Sequence, residues 1–242
     1  MKQIIATFVL LPLFFLQSNV NAFETDTLQT NQGPLLMTFV GHGTLYFEHD
    51  NKVVHVDPWS RLADYSTLPK ADLILVTHQH RDHLDSKAIE ACRKEGTAIV
   101  FTKSCAEQID GIVFHNGDTK IIKDLKINAV PAYNIKHKRD GNKPFHPKGE
   151  GNGYVITFGD KKVYIAGDTE NVPEMKELNG TIDVAFLPMN LPYTMTPEMT
   201  ADAAIMISPK ILYPYHFGES DTNQLVTLLK DAKIEIRIRQ LQ

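Results

Sequence analysis

Thr77-His78-Gln79-His80-Arg81-Asp82-His83 packs four side chains with metal-ligand chemistry, three imidazoles and a carboxylate, into six residues. The stretch follows directly on the apolar run Leu73 to Val76, where a strand would leave its sheet and turn. A loop at a strand end can aim several such groups at one point. Imidazole nitrogen and carboxylate oxygen are the donors that hold zinc, iron or manganese. A solvated histidine-rich turn would not alternate ligand and non-ligand residues in this way.

Working outward, short apolar runs bounded by Gly, Pro, Asn or Asp read as strands at residues 35–40, 44–47, 52–56 and 73–76. Residues 24–34 read as a polar segment. Helical spacing puts Ala88, Ile89, Ala91 and Cys92 on one face of residues 86–94. A strand at 98–101 and a helix at 103–109 follow. In the second half, strands are predicted at 125–132, 153–158, 161–166, 183–187, 211–215 and 234–238, with Gly159-Asp160 as a two-residue hairpin turn. Helices are predicted at 197–207, with Thr196 as N-cap, and at 221–229. Strands and helices mixed in both halves imply an α/β protein built as a four-layer αββα sandwich.

The chain opens with Met1-Lys2, an apolar stretch from Ile4 to Leu16, and Val20-Asn21-Ala22, a small-x-small tripeptide. Residues 1–22 therefore read as a secretory signal peptide, the stretch being short of the roughly 20 apolar residues of a membrane span. The expectation is a periplasmic or secreted protein beginning at Phe23, a single domain over residues 23–242, with no stable membrane anchor after cleavage. Beyond residue 22 the side chains are 24 basic against 29 acidic, a balance of -5. That is an ordinary surface, and it argues against nucleic acid as a partner. Cys92 and Cys105 are the two cysteines; a disulfide and two buried free thiols are both open.

Other segments fall into line with the opening one. Thr-His-x-His-x-Asp-His after an apolar strand resembles the signature of the metallo-β-lactamase fold superfamily. Val56-Asp57-Pro58, Ala166-Gly167-Asp168-Thr169 and Tyr213-Pro214-Tyr215-His216 resemble its later motifs, in the expected order. The resemblance runs from Leu35 to His216. It implies a metal-dependent hydrolase with His78 and His80 on one ion, Asp82, His83 and His216 on a second, and Asp168 bridging. It also implies two zinc ions, with manganese or iron as alternatives, and a hydroxide between them as nucleophile. Catalytic work falls to Asp82 and His83, Asp82 orienting the hydroxide and passing its proton on. Asp57 is expected to accept a hydrogen bond from a ligand histidine. His42, in Gly41-His42-Gly43-Thr44, either lines the site or is structural.

One position departs from the pattern. Many relatives carry a third histidine of the first ion where this chain has Asn134, and an amide oxygen is a poor substitute for imidazole on zinc. Either His146 or His137 comes in from the following non-periodic region, residues 134–152, or the first ion is weakly held. The prolines flanking His146, Pro144 and Pro147, favour it as the replacement. His49, His55 and His115 lack ligand neighbours and read as ordinary fold histidines. The same region carries Lys136, Lys138, Arg139, Lys143 and Lys148, so Lys143 and Lys148 are expected to draw an anionic small-molecule substrate.

Within the superfamily, Gly41-His42-Gly43-Thr44 and the run Gly151 to Ile156 look closest to lactonase-like and phosphodiesterase-like hydrolases. The expected reaction is cleavage of an ester, lactone or phosphodiester. The alternatives are a β-lactamase, or a non-catalytic or mononuclear metal-binding protein of the same fold.

Overall fold

The computed structural model describes residues 23–242; the expected signal peptide, residues 1–22, lies outside the described residues. Seven strands form the first sheet in simple chain order: β1 Glu24–Thr30, β2 Gly33–Gly41, β3 Thr44–His49, β4 Lys52–Val56, β5 Ala71–Leu75, β6 Arg93–Thr102 and β7 Ile112–Phe114. The pairing is antiparallel up to β4 and parallel from there on. Helix α1, Ser86–Cys92, is inserted between β5 and β6.

The second half supplies β8 Thr119–Ile122, β9 Leu125–Ala132, the small hairpin β10 Lys138–Arg139 and β11 Lys143–Pro144, and then β12 Gly151–Phe158 and β13 Lys161–Ile165. It closes with β14 Val184–Pro188, helix α2 Pro197–Ile207, β15 Ile211–Tyr215, helix α3 Thr222–Leu228 and β16 Glu235–Ile236. The second sheet has the order β16-β15-β14-β13-β12-β9-β8. It too is antiparallel on one side and parallel on the other.

Alternation along the strands generates the layers, because successive side chains point to opposite faces. Leu35, Met37 and Phe39 on β2, Leu45 and Phe47 on β3, and Leu73 and Leu75 on β5 join a core shared with Ile127, Ile156 and Phe158 of the other sheet. Phe47 meets Phe158 at 5.3 Å between ring centroids, so the sheets pack face to face. The intervening residues of β5 and β6, among them Ile74, Ile99 and Phe101, turn outward onto Ala88, Ile89 and Cys92 of α1. On the far side, Ala203, Ala204 and Ile207 of α2 belong to the buried core against the second sheet. The result is the four-layer αββα sandwich.

Local signals account for the helix ends. Asp85 accepts hydrogen bonds from the N–H groups of Lys87 and Ala88, and Thr196 accepts from Met199 N–H, the side-chain capping that supplies partners for free N-terminal donors. Gly159-Asp160 turns β12 into β13, with Gly159 at a φ of 58°. Among the described residues no helix is long and apolar enough to cross a membrane.

One expectation is corrected and three points that the sequence left open or unread are filled in. Residues 24–30, read only as polar, form β1, whose polar sequence suits an edge strand. Its Asp26 accepts hydrogen bonds from Tyr213, Arg237 and Arg239, which ties the start of the domain to its end. Residues 103–109 form only a 3-10 turn at Lys103–Cys105, because the chain must re-enter the sheet at Ile112. The short strands β7 and β8 gave no apolar run long enough to read, and Ile121 on β8 is 73% exposed. Cys92 and Cys105 are buried free thiols, and burial pushes the Cys92 thiol up to about 12.

His55, on β4, is fully buried. Its Nε2 lies 2.9 Å from the Pro69 carbonyl, and Nδ1 has no partner. Burial pushes its pKa down to about 4, the Pro69 contact opposing only in part. A depressed histidine favours the folded chain above its unfolded value near 6.5, and that contribution is lost as pH falls from there toward 4. Wild type should therefore lose about 2–3 kcal/mol through this group by about pH 4.5. In urea unfolding at neutral and acidic pH, His55→Leu is expected to show a correspondingly flatter dependence; equal slopes would refute the assignment.

A candidate binuclear metal centre

The residues singled out by sequence converge at one end of the sandwich because they follow the carboxyl ends of their strands. Thr77 and His78 come just after β5, Asp57 after β4, Asp168 after β13, His216 after β15 and Asn134 after β9. The sheets are stitched together at this end. Asn152 N–H donates to the Thr77 carbonyl at 2.9 Å, and Tyr154 Oη donates to the Val76 carbonyl at 2.9 Å. His42, Asp57 and His216 have φ values of 53°, 44° and 47°, the left-handed region that non-glycine residues occupy when the surroundings compel it, often at functional sites.

Two groups of potential ligand atoms result, each lying within 4.8 Å. The first joins His78, His80, His146 and Asp168. His80 Nδ1 is 3.0 Å from His78 Nε2 and 3.2 Å from His146 Nε2, which is itself 3.2 Å from Asp168 Oδ2. The second joins His42, Asp82, His83 and His216. Asp82 Oδ2 is 3.1 Å from His42 Nε2 and 3.7 Å from both His83 Nε2 and His216 Nε2. Asp168 reaches this group with its other oxygen, Oδ1, at 3.5 Å from His83 Nε2 and 3.7 Å from His216 Nε2. One carboxylate thus faces both groups.

The buried polar atoms fit a bound cation. His83 Nε2, His216 Nε2 and Asp168 Oδ1 are buried without a hydrogen-bond partner, a costly arrangement for protein atoms alone. Burial opposes a proton on His83, yet the carboxylates of Asp168, Asp57 and Asp82 outweigh it and push its pKa up to about 10. The pocket therefore attracts positive charge. In the first group, burial and repulsion from His146 push His80 down to about 4, so it is neutral and able to ligate. Burial also works against ionisation of Asp82, but the nearby imidazoles of His216, at 3.7 Å, and His42, at 3.1 Å, hold its carboxyl well below the ordinary range.

Each histidine is aimed from behind. His83 Nδ1–H donates to Asp57 Oδ2 at 2.7 Å, which turns Nε2 toward the group. Thr77 donates its hydroxyl to the same carboxylate oxygen at 2.6 Å and its backbone N–H to Oδ1 at 2.8 Å. The Thr77 oxygen is thus left to accept from His78 Nδ1, 3.0 Å away. Gly43 is needed for closeness, since a Cβ there would stand 2.9 Å from His83 Cε1. Behind His216, the Asn190 amide meets Nδ1 at 3.2 Å.

Asn134 resolves the departure noted in the sequence. Its Nδ2 donates to Glu170 Oε1 at 3.2 Å and to the Tyr193 carbonyl at 2.9 Å, which fixes the amide orientation. Oδ1 then accepts both the backbone N–H of His146, at 2.9 Å, and its Nδ1–H, at 2.6 Å, so Nε2 points at the first group. Asn134 positions an imidazole instead of replacing one. Glu170 holds the loop start in turn, accepting backbone N–H groups from Ile135, Lys136 and His137. His137 is not in either group; its Nδ1 is 2.9 Å from both Glu170 Oε1 and the Thr194 carbonyl. His49, His55 and His115 also lie outside both groups.

His42 enters the second group instead of only lining the site, its ring centroid 3.6 Å from that of His216. The expected substrate lysines are corrected. Lys148 donates to Glu174 at 2.7 Å and covers the Tyr133 ring, Lys143 is exposed on β11, and neither lines the cavity above the groups. Arg81 and Arg139 do. Glu170 and Asn190 were not singled out from sequence; the available sign was their place just past strand ends, beside motif residues.

Two histidine-carboxylate groups sharing one aspartate, at the strand ends of an αββα sandwich, define a metallohydrolase of the metallo-β-lactamase fold. The chain belongs to the beta-lactamase superfamily domain family, whose model matches residues 36–216. It is 33% identical over 188 residues to a UPF0173 metal-dependent hydrolase of Nanoarchaeum equitans, covering 74% of this chain and 82% of the relative. Its fold matches a crystal structure from Parabacteroides distasonis, assigned as a metal-dependent hydrolase. The two chains are 51% identical with a TM-score of 0.86, over 91% of this chain and all of the other. A metallo hydrolase of Ignicoccus hospitalis is 26% identical with a TM-score of 0.71, over 86% of this chain and 95% of that one. The protein is a metal-dependent hydrolase.

Loss of a residue that orients a metal-binding histidine costs roughly 10–100-fold in metal affinity. Asn134→Ala is expected to weaken metal binding at the first group by that order in a chelator-competition titration. Unchanged metal affinity would remove Asn134 from its assigned role.

Proposed function

We propose that this chain is an exported hydrolase that cleaves an ester, lactone or phosphodiester of an anionic small molecule, with two zinc ions. The observation that carries the substrate class is the cavity of about 410 Å³ above the two groups. Arg81 and Arg139 line it together with His80, Asp82, Asp168 and Tyr193. A guanidinium offers paired donors to a carboxylate or phosphate, and two of them beside the reacting position favour an anion. Tyr193, packed edge-on against Phe145 at 5.1 Å, gives the cavity an apolar side.

Metal ions held by the two groups would supply a water activated near neutral pH and Lewis-acid stabilisation of developing negative charge. The imidazole-rich donor sets suit zinc. The chain's own residues do the rest. Asp82 is the carboxylate of the second group most open to the cavity, at 32% exposure against 5% for Asp168. It is placed to take up a proton during bond cleavage and return it to the leaving group. Asp57, Thr77, Asn134 and Asn190 keep the imidazoles from turning while charge changes beside them. Arg81 and Arg139 bind the anion and orient the scissile bond.

Chelator-sensitive turnover of bis(4-nitrophenyl) phosphate, 4-nitrophenyl butyrate or a carboxylated lactone tests the reading, alongside metal analysis. Two zinc ions per chain are expected, and Asp82→Ala should reduce kcat by roughly 10²–10⁴-fold. Turnover of none of these compounds by the zinc-loaded protein would sink the substrate classes, and undiminished turnover by Asp82→Ala would sink the mechanism.

Export rests on the sequence of residues 1–22, with Lys2 before the apolar stretch and Val20-Asn21-Ala22 after it. N-terminal sequencing of protein recovered from outside the cytoplasm should begin at Phe23; recovery only from the cytoplasm with Met1 or Lys2 at its start would refute export.

A further inference from the structure

Beside the cavity over the metal centre lies a second and larger hollow of about 670 Å³, and the two share Arg81 and Asp82. Its far wall is built from Trp59, Ser60 and Arg61, on the segment after β4, and from Lys87 at the start of α1. Trp59 is the single tryptophan of the chain. Its ring centroid is 5.2 Å from that of His42, and the Arg61 guanidinium carbon lies over the indole, 5.7 Å from its centroid. Trp59 thus touches both His42, of the second group, and Arg61, in the wall of the hollow.

This wall is fixed. Trp59 N–H donates to Tyr65 Oη at 3.0 Å, and Ser60 donates its N–H and its hydroxyl to Asp85 Oδ2 at 2.9 and 2.6 Å. Asp85 also caps α1, so its charge is already engaged by four donors. The cations are not engaged in that way. Arg61, Arg81 and Lys87 have no ion pair among the described residues, whereas nearby Arg93 and Lys94 are paired with Glu90 and Asp72. Arg61 and Lys87 are exposed, so their charges are available to a ligand. Trp59 beside three cations without an ion pair matches a planar group that carries negative charge: the ring packs on the indole where the exposed Arg61 side chain lies over it, and a carboxylate or phosphate meets the displaced guanidinium and Lys87.

We propose that this hollow is a substrate subsite for an aromatic or otherwise planar group bearing a carboxylate or phosphate, the part of the substrate that does not react. Arg81 and Asp82 are consecutive and stand between the two spaces. A substrate seated on Trp59 therefore carries its scissile bond across Arg81 to Asp82. This subsite rests on the hydrolase reading for its purpose but not for its detection.

Because Trp59 has no other tryptophan to mask it, intrinsic fluorescence reports occupancy without any turnover. Titration of the metal-loaded protein with phenyl phosphate is expected to change Trp59 emission saturably. In the Arg61→Ala/Lys87→Ala variant, which alters two exposed side chains, the dissociation constant should rise roughly tenfold or more, the equivalent of about 1.4 kcal/mol. Inorganic phosphate should produce a smaller change than phenyl phosphate, and uncharged benzyl alcohol a much weaker one. An unaltered dissociation constant in the variant would overturn the subsite, as would the absence of any emission change in wild type. A response to inorganic phosphate equal to that of phenyl phosphate would place the anion at the metals and overturn it as well. A protein that hydrolyses no ester yet shows the expected titrations would keep the subsite and lose the hydrolase substrate classes, so the two failures are distinguishable.

Discussion

The centre depends on Asp168, a buried carboxylate whose two oxygens are turned to opposite sides, one toward each histidine group. A carboxylate so far from water needs positive charge beside it. Among the described residues no lysine or arginine pairs with it; imidazoles whose outward nitrogens are already taken surround it. The charge that balances Asp168 must come either from protons on those imidazoles or from metal ions, and a family of metal-dependent hydrolases uses the second solution. The strand ends, the strained backbone at His42, Asp57 and His216, and the close approach at Gly43 all serve to bring donors to this one residue.

Behind the donors stands a set of partners that decides which nitrogen faces inward. Asp57 does this for His83, Thr77 for His78, Asn134 for His146 and Asn190 meets His216. The outer partners are chemically varied, a carboxylate, a hydroxyl and two amides. Their charge differs, and so does the push each gives its imidazole. The histidine backed by Asp57 receives the strongest, and it belongs to the group that also holds Asp82, the carboxylate placed to move protons.

Much of this was legible in the sequence, for reasons that differ from residue to residue. His78, His80, Asp82 and His83 announced themselves by density within one turn, and Asp57, Asp168 and His216 by following apolar strands. The two-sheet architecture followed from strands and helices mixed in both halves, and α2 was readable from Thr196 and Pro197. What could not be read was anything set by side-chain direction across the fold. Of the five basic residues of 134–152 the sequence pointed to Lys143 and Lys148, but only Arg139 faces the cavity, while Lys148 spends its charge on Glu174. Glu170 could not be distinguished from a surface acid until its five donors were in view, and β1 was hidden because an edge strand needs no apolar face.

His146 differs from every other histidine of the two groups in where it comes from. The others sit at strand ends or in the turn after β5, whereas His146 arrives from a long connection held in place by Asn134 and Glu170. Ordering that connection and completing the first group are then one thermodynamic event: the affinity measured for an ion there includes the entropy of fixing the loop, and tight binding of the ion rigidifies the loop in return. Because Arg139 rides on the same connection, the cationic wall of the cavity is coupled to occupancy of the metal group beneath it. Metal availability would thereby set both the rate of chemistry and the shape that the substrate meets.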